Sequence, residues 1–273
     1  MISNNILEIY LEYGDCKIMK LNIIKILTIN LSNVQINYIA ITRLTIMVKK
    51  DVTGLRMTIE EKREKARREI MQASLELFYE KGYQKTTTRD IINKAGILNG
   101  SLYNRFKSKE EILLNIVTDY LERTLDESEE FLGEEINPLI AAVLPGAFEV
   151  FISSKDRKIA DLIYEVHKLW ATVEILTDMN IEWFSKYLEK YGIRFDNKDD
   201  ARIKTLSFVG AIGNICGHYA NGGESDQNKV LYYMLSYMGA ILGIPVIDMD
   251  GMISRLNEIL EKSNIRFREE TGV

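Results

Sequence analysis

Residues 95–113, AGILNGSLYNRFKSKEEIL, constrain the fold of this chain more than any other stretch. Gly96 permits a sharp turn after a short helix. Leu102 and Phe106 follow at helical spacing, so a second short helix has one apolar face. Ser108 and Glu111 form a capping-box pattern, which starts a further helix. This order of short helix, turn, short helix and helix start predicts a helix-turn-helix.

The residues before this stretch predict two more helices. Apolar side chains recur at helical spacing between residues 59 and 81. Gly82 can then end the helix by adopting the left-handed conformation. The apolar positions of this helix are Ala66, Ile70, Ala73, Leu77 and Phe78. Thr87 and Asp90 form a capping-box variant, which starts the next helix and leaves backbone N–H groups free to meet a phosphate.

Over residues 59 to about 114 the chain resembles the TetR family of bacterial and archaeal transcriptional repressors. The matching residues are Leu77-Phe78, Gly82-Tyr83, Thr86-Thr87, Asp90-Ile91-Ile92, Ala95-Gly96-Ile97-Leu98, Gly100-Ser101-Leu102-Tyr103, Arg105-Phe106 and Ser108-Lys109-Glu110. A pattern of this length and order is specific. The resemblance implies an all-α fold, with an N-terminal three-helix helix-turn-helix DNA-binding domain joined to a helical-bundle ligand-binding and dimerisation domain.

The resemblance also implies a set of DNA contacts. The outward side chains of the second short helix are short, polar or basic, as base edges and phosphates require. The resemblance places phosphates on Thr87, Tyr103, Arg105 and Lys109. It places bases against Gly100, Ser101 and Asn104, and Asn99 lies on the same outward face.

Two residues depart from the family pattern. Leu98 stands where a capping Ser is usual, which costs about 1 kcal/mol of helix stability. Arg105 replaces the usual Tyr or His, and its full charge should steepen the salt dependence of DNA binding. Leu98 keeps open an alternative function, a helical protein-interaction adaptor with weakened DNA binding.

The charge is distributed unevenly. Residues 57–108 carry 11 Lys and Arg against 7 Asp and Glu, whereas residues 109–273 carry 17 against 29. A basic segment inside an acidic chain is where a polyanion would bind. We therefore expect double-stranded DNA to bind residues 57–108.

The sequence predicts no enzyme, no cofactor and no metal site. It has two histidines far apart, no Gly-rich phosphate loop in context and no nucleophile paired with a base. Cys16 and Cys216 match no disulfide framework, which fits a reducing cytoplasm. The Cys216-Gly-His218 pattern lacks further ligands nearby, so a buried thiol beside an ordinary helix histidine is the better interpretation.

Residues 1–56 fit no targeting or membrane pattern. Polar and charged residues interrupt their apolar run, so it is a poor membrane span. Acidic residues near the start argue against a signal peptide. Met57 stands where the family's short tail would begin, so we expect residues 1–56 to come from a misassigned start, with a genuine extension as the alternative.

Residues 109–273 predict a helical effector-binding and dimerisation domain. A connector helix should run from Lys109 to about Phe131, followed by helices starting at Pro138, near Ile159, at Ala201, at Val230 and at Met249. Small residues, Gly210, Ala211, Gly213 and Gly217 among them, suggest a homodimer interface at residues 204–219 and 229–242. The alternative is packing inside one subunit.

Aromatic residues in the middle helices suggest an effector pocket, because ligand sites in helical bundles lie between helices. For any single aromatic residue, plain core is the better interpretation. The candidate residues are Phe148, Phe151, Tyr164, His167, Trp170 and Trp183, with Glu165 as a further polar anchor. We thus expect a cytoplasmic, dimeric repressor released from a near-palindromic operator by a small molecule. The operator, the effector, the regulated genes and the choice between repressor and activator stay open.

Overall fold

The computed structural model describes residues 58–133, 137–263 and 265, and every regular element in these ranges is helical. The expectations for residues 1–56 lie outside the described residues. The α-helices are α1 Ile59–Lys81, α2 Thr88–Ala95, α3 Asn99–Tyr103, α4 Lys109–Leu132, α5 Pro138–Lys155, α6 Arg157–Lys168, α7 Trp170–Leu188, α8 Lys198–Ala220, α9 Gln227–Leu242 and α10 Met249–Lys262. A 3₁₀ turn, Glu189–Tyr191, follows α7. The all-α expectation is confirmed.

Helices α1 to α3 pack around one apolar cluster. Its most buried members are Ile70, Phe78, Ile91, Leu102 and Phe106. All but Ile91 were predicted from their helical spacing to lie on the inner faces of the helices. Their burial stabilises the three-helix arrangement.

The chain reversals in this region follow local chemistry. Gly82 (φ +84°) ends α1 and Gly96 (φ +64°) ends α2, both in the left-handed region that favours glycine. Thr87 accepts from the Asp90 backbone N–H while the Asp90 carboxylate accepts from the Thr87 backbone N–H, so the predicted capping box is present. The capping box predicted at Ser108 and Glu111 is present only in part. Ser108 accepts from the Glu111 N–H, but the Glu111 carboxylate accepts from the Lys107 N–H instead of from Ser108.

Helix α5 forms the centre of the C-terminal body. Asn137 caps it and Pro138 occupies its first turn, as the sequence predicts. Its length and apolar composition would suit a membrane span, but 78% of it is buried inside the protein. Such burial is typical of the core helix of a helical bundle.

The helical segment predicted to start near Ile159 forms two helices, α6 and α7. Asp156 caps α6 through the backbone N–H groups of Lys158 and Ile159. Leu169 adopts extended backbone angles between α6 and α7, and no side chain caps α7. The break exposes Trp170, the first residue of α7, to 61%.

Helices α6 and α8 approach each other closely through glycines. A Cβ atom added to Gly213 would lie 2.6 Å from His167 Cβ, and one added to Gly217 would lie 2.7 Å from Tyr164 Cε2. Gly213 and Gly217 therefore pack inside the subunit, and their assignment to a subunit interface was wrong. A Cβ at Gly210 would meet no atom of the described chain within 4 Å.

Candidate DNA-binding face and effector cavity

Helix α3 presents its polar side to solvent. Leu102 is fully buried and anchors the helix, whereas Asn99, Gly100 and Asn104 are exposed and Tyr103 is 54% exposed. Leu98 occupies the N-cap position without a side-chain hydrogen bond, as its apolar side chain requires. Short polar groups on an exposed helix beside a second helix are suited to the major groove of DNA.

The first turn of α2 lies beside α3. The Thr88 hydroxyl is 3.4 Å from the Tyr103 hydroxyl, which places both near the Thr87 cap. Neighbouring Thr86 is buried and donates to the carbonyl oxygens of Leu77 and Gly82, so it holds the loop in place. Sequence reasoning omitted Thr88 from the contact set, although the run of three threonines at residues 86–88 was a signal for it.

Hydrogen bonds at the N-cap of α2 keep the Asp90 carboxyl group ionised. Backbone and side-chain hydrogen bonds from Thr87, with a further one from Lys81, lower the pKa of Asp90 to about 2. The carboxylate is therefore fully ionised at neutral pH and stabilises the positive end of the α2 dipole.

Two cations of the predicted contact set are held by carbonyl groups. The Lys109 ammonium donates to the carbonyl oxygens of Tyr83 (2.7 Å) and Thr86 (2.9 Å) and lies over the Tyr83 ring. Burial lowers its pKa. One Arg105 guanidinium nitrogen donates to the Ser101 carbonyl at 2.8 Å. An ammonium has three protons and a guanidinium five, so each cation retains donors for a phosphate.

Helix α6 contacts this DNA-binding region directly. The Tyr79 hydroxyl donates to Asp156 at 2.8 Å, and the Gln84 amide donates to Glu165 at 2.7 Å. The Lys158 ammonium lies over the Tyr79 ring at 5.0 Å. The connector helix predicted from the sequence, α4, is therefore not the sole link between the two regions, since Asp156 and Glu165 provide a second one.

A buried pair of polar side chains in hydrogen-bond contact lies in the C-terminal body. His167 Nε2 is 2.8 Å from a Glu149 carboxylate oxygen, and the two side chains are 5% and 7% exposed. His167 Nδ1 is buried and has no hydrogen-bond partner among the described residues. Burial, together with the Glu149 charge, raises the pKa of the nearby Cys216 thiol to about 12, so that thiol stays protonated.

A cavity of about 10 Å³ adjoins this pair. Its walls combine Glu149, His167 and Asn180 with the apolar residues Pro145, Gly146, Leu176, Phe208, Val209 and Ile212. A second cavity of about 10 Å³ lies beside Phe151 between α5, α8, α9 and α10. Each has room for about one water molecule, so a larger ligand would have to open one of them.

The six predicted effector residues do not line one cavity. His167 lines the first cavity and Phe151 the second, while Trp170 is exposed. Phe148 is fully buried, and the buried Trp183 donates to the Ala141 carbonyl. Glu165 binds Gln84 instead of facing a cavity. Sequence reasoning missed Glu149, although a lone carboxylate within an apolar 18-residue helix was a signal for it.

Comparisons with known proteins identify the family of the helix-turn-helix region. The family model described as bacterial regulatory proteins, tetR family, matches residues 70–116. The HTH-type transcriptional repressor KstR2 of Mycolicibacterium smegmatis is 38% identical over 73 residues, which are 27% of this chain and 36% of that protein. This match therefore spans about a third of the relative's length.

Two further comparisons extend beyond that segment. The uncharacterized HTH-type transcriptional regulator YfiR of Bacillus subtilis is 34% identical over 147 residues, which cover 48% of this chain and 67% of that protein. A putative TetR-family transcriptional regulator from Syntrophomonas wolfei has a similar fold, with a TM-score of 0.51 at 19% identity, covering 68% of this chain and 99% of that chain. This chain belongs to the TetR family of helix-turn-helix transcriptional regulators.

Proposed function

We propose that this chain is a dimeric transcriptional repressor that binds a near-palindromic operator through α2 and α3 and is released by a small-molecule effector. The observation that carries the proposal is the exposed polar face of α3 beside the Thr87 cap, inside a sequence that matches the family over residues 70–116. The similarity to a named repressor supports repression. We assign DNA binding to residues 57–108 and effector binding and dimerisation to residues 109–273, in the cytoplasm and without catalysis.

The DNA contacts divide by chemistry. Thr87, Tyr103, Arg105 and Lys109 hold phosphates. The Tyr103 hydroxyl, the Arg105 guanidinium and the Lys109 ammonium can donate to a phosphate. The Thr87 hydroxyl donates to Asp90, so Thr87 acts by placing the positive end of the α2 dipole at the phosphate. The short residues face the bases, since they let α3 enter the major groove. These are Asn99, Gly100, Ser101 and Asn104.

We assign the dimer interface to the outward faces of α8 and α9. Ile203 is 63% exposed on α8, and Tyr232, Tyr233 and Tyr237 are exposed on α9. Gly210 lies on the outer side of α8 with open space beyond it. Exposed apolar groups on adjacent helices suit a second copy, and two copies read enough base pairs for useful specificity.

The effector opens the cavity beside Glu149 and His167. Its walls are mainly apolar, with three polar side chains to orient a ligand, as small-molecule sites require. His167 lies on α6, which also binds Tyr79 and Gln84 of the DNA-binding region. A ligand that moves α6 therefore changes the position of the recognition helix, provided that it binds one arrangement better.

DNA selection from a random duplex library tests the function. The full chain should enrich a near-palindrome, and Gly100→Glu should abolish binding without unfolding, because a Cβ at Gly100 meets nothing within 4 Å. Ser254→Glu adds the same charge to the exposed surface of α10 and should bind normally. Failure to enrich any sequence, or equal losses in both variants, would reject the proposed function.

The effector site has its own test. Compounds that release the selected operator from the unmodified chain should release it poorly from His167→Ala and normally from Trp170→Ala, whose side chain is exposed. The opposite result would place the site at Trp170, where the aromatic pattern first suggested it.

A further inference from the structure

Leu98 stabilises the free protein less than a polar residue would. Its side chain is 81% exposed, although it precedes the recognition helix directly. Ser, Thr, Asn or Asp at this N-cap would contribute about 1 kcal/mol of helix stability, and an exposed leucine gains little burial in exchange. Local rules that are broken without a visible gain in the free protein are typical of functional positions.

The backbone holds Leu98 firmly while its side chain points outward. The Ile97 N–H donates to Ile92 on one side, and the Leu98 carbonyl accepts from the Ser101 N–H at 2.9 Å on the other. The next two residues, Asn99 and Gly100, are exposed on the same end of α3. The N-terminal residues of a recognition helix are the ones that reach base edges.

We propose that Leu98 reads thymine through its 5-methyl group in the major groove. Leucine has no hydrogen-bond donor or acceptor, so it cannot read the polar edge of a base. The thymine methyl is the apolar feature that the major groove presents. This inference rests on the proposed DNA binding, and it makes Leu98 a specificity-determining residue in addition to the contact set above.

Replacing thymine by deoxyuridine tests the inference, because this change removes the methyl group alone. The probe is the duplex selected by the full chain, with each thymine replaced in turn. The unmodified chain should lose about fourfold in affinity at one thymine in each half-site, the equivalent of one buried CH₂ group. Leu98→Ala should bind more weakly and be indifferent to the methyl at that position.

Leu98→Ser separates base reading from folding. Serine restores the cap, so this variant should unfold at a higher temperature than the unmodified chain and still lose the response to the methyl group. Ile247→Ser truncates an apolar side chain of similar exposure, 71%, on the body and should keep that response.

The outcomes distinguish this inference from the proposed function. A chain that selects no DNA sequence overturns both. A chain that selects a sequence, but whose Leu98→Ala and Leu98→Ser variants respond to every thymine methyl as the unmodified chain does, overturns the role of Leu98 alone.

Discussion

Gly213→Ala should destabilise the protein, although alanine is the better helix former. The added Cβ would lie 2.6 Å from His167 Cβ and 2.7 Å from His167 Cγ. Both Cβ positions are set by the backbone, so a change of rotamer cannot relieve the contact and α6 or α8 must shift. Overpacking of this kind costs about 1 to 3 kcal/mol.

Gly210→Ala is the matched control for packing inside the subunit, three residues earlier on the same helix. Because Gly210 lies at the proposed interface, the comparison holds only where the two variants dimerise equally. Its Cβ would meet no described atom within 4 Å. Both substitutions gain about 1 kcal/mol of helix propensity, so this gain cancels when the two variants are compared. The difference between their free energies of unfolding therefore measures the overpacking cost, about 1 to 3 kcal/mol in favour of Gly210→Ala.

The assay is urea unfolding followed by circular dichroism. All three proteins are compared at one protein concentration, because dimerisation stabilises by mass action. Sedimentation verifies that their oligomeric states match. Equal stability of the two variants, or a more stable Gly213→Ala, would refute the close packing of α6 on α8 and with it the placement of His167 at the cavity.

Four other substitutions address the DNA-binding face and the subunit interface. Arg105→Ala should weaken binding to all sequences about equally and lower the salt slope by roughly 1, whereas Ser101→Ala should change sequence preference; equal, sequence-blind losses would reject this division. The pKa of Asp90 is lowered to about 2 from 3.8, so its ionised form contributes stability above pH 3.8 that is lost as pH falls towards 2. The stability difference between the unmodified chain and Asp90→Asn should thus be constant near neutrality and shrink below pH 4 in acid titrations of urea unfolding; a constant difference down to pH 2 would contradict this. Gly210→Leu should convert the proposed dimer to a folded monomer in sedimentation, and an unchanged dimer would place the interface elsewhere.

Local chemistry explains why much of the fold was predictable from the sequence. The Thr87 cap, the left-handed Gly82 and Gly96 and the start of α5 at Pro138 all depend on residues within one turn of the chain. The apolar spacing of α1 to α3 likewise identified the buried face, because helical geometry relates spacing directly to direction.

Contacts between distant helices were not predictable in the same way. A small residue such as Gly213 is compatible with a subunit interface or with packing inside a subunit, and only the position of α6 decides between them. The partner of His167 is likewise Glu149, 18 residues away on another helix. Spacing within a helix cannot reveal such a pair. It also cannot show that His167 and Phe151 line different cavities.

In the proposed mechanism, helix α6 is the element through which the cavity and the DNA-binding region influence each other. One face carries His167, which lies on Gly213 of α8, and the opposite face carries Glu165, which binds Gln84. Because the cavity is only about 10 Å³, an effector of several atoms must displace a wall. Gly213 leaves α6 no room to move closer to α8. An effector that displaces α6 therefore moves this helix away from α8 and carries Glu165 with it. The hydrogen bond to Gln84 then breaks or draws the α1–α2 loop along. Each hydrogen bond between α6 and the DNA-binding region contributes at most a few kcal/mol. Loss of one such bond is therefore enough to account for the 1 to 3 kcal/mol that is typical of coupling between sites.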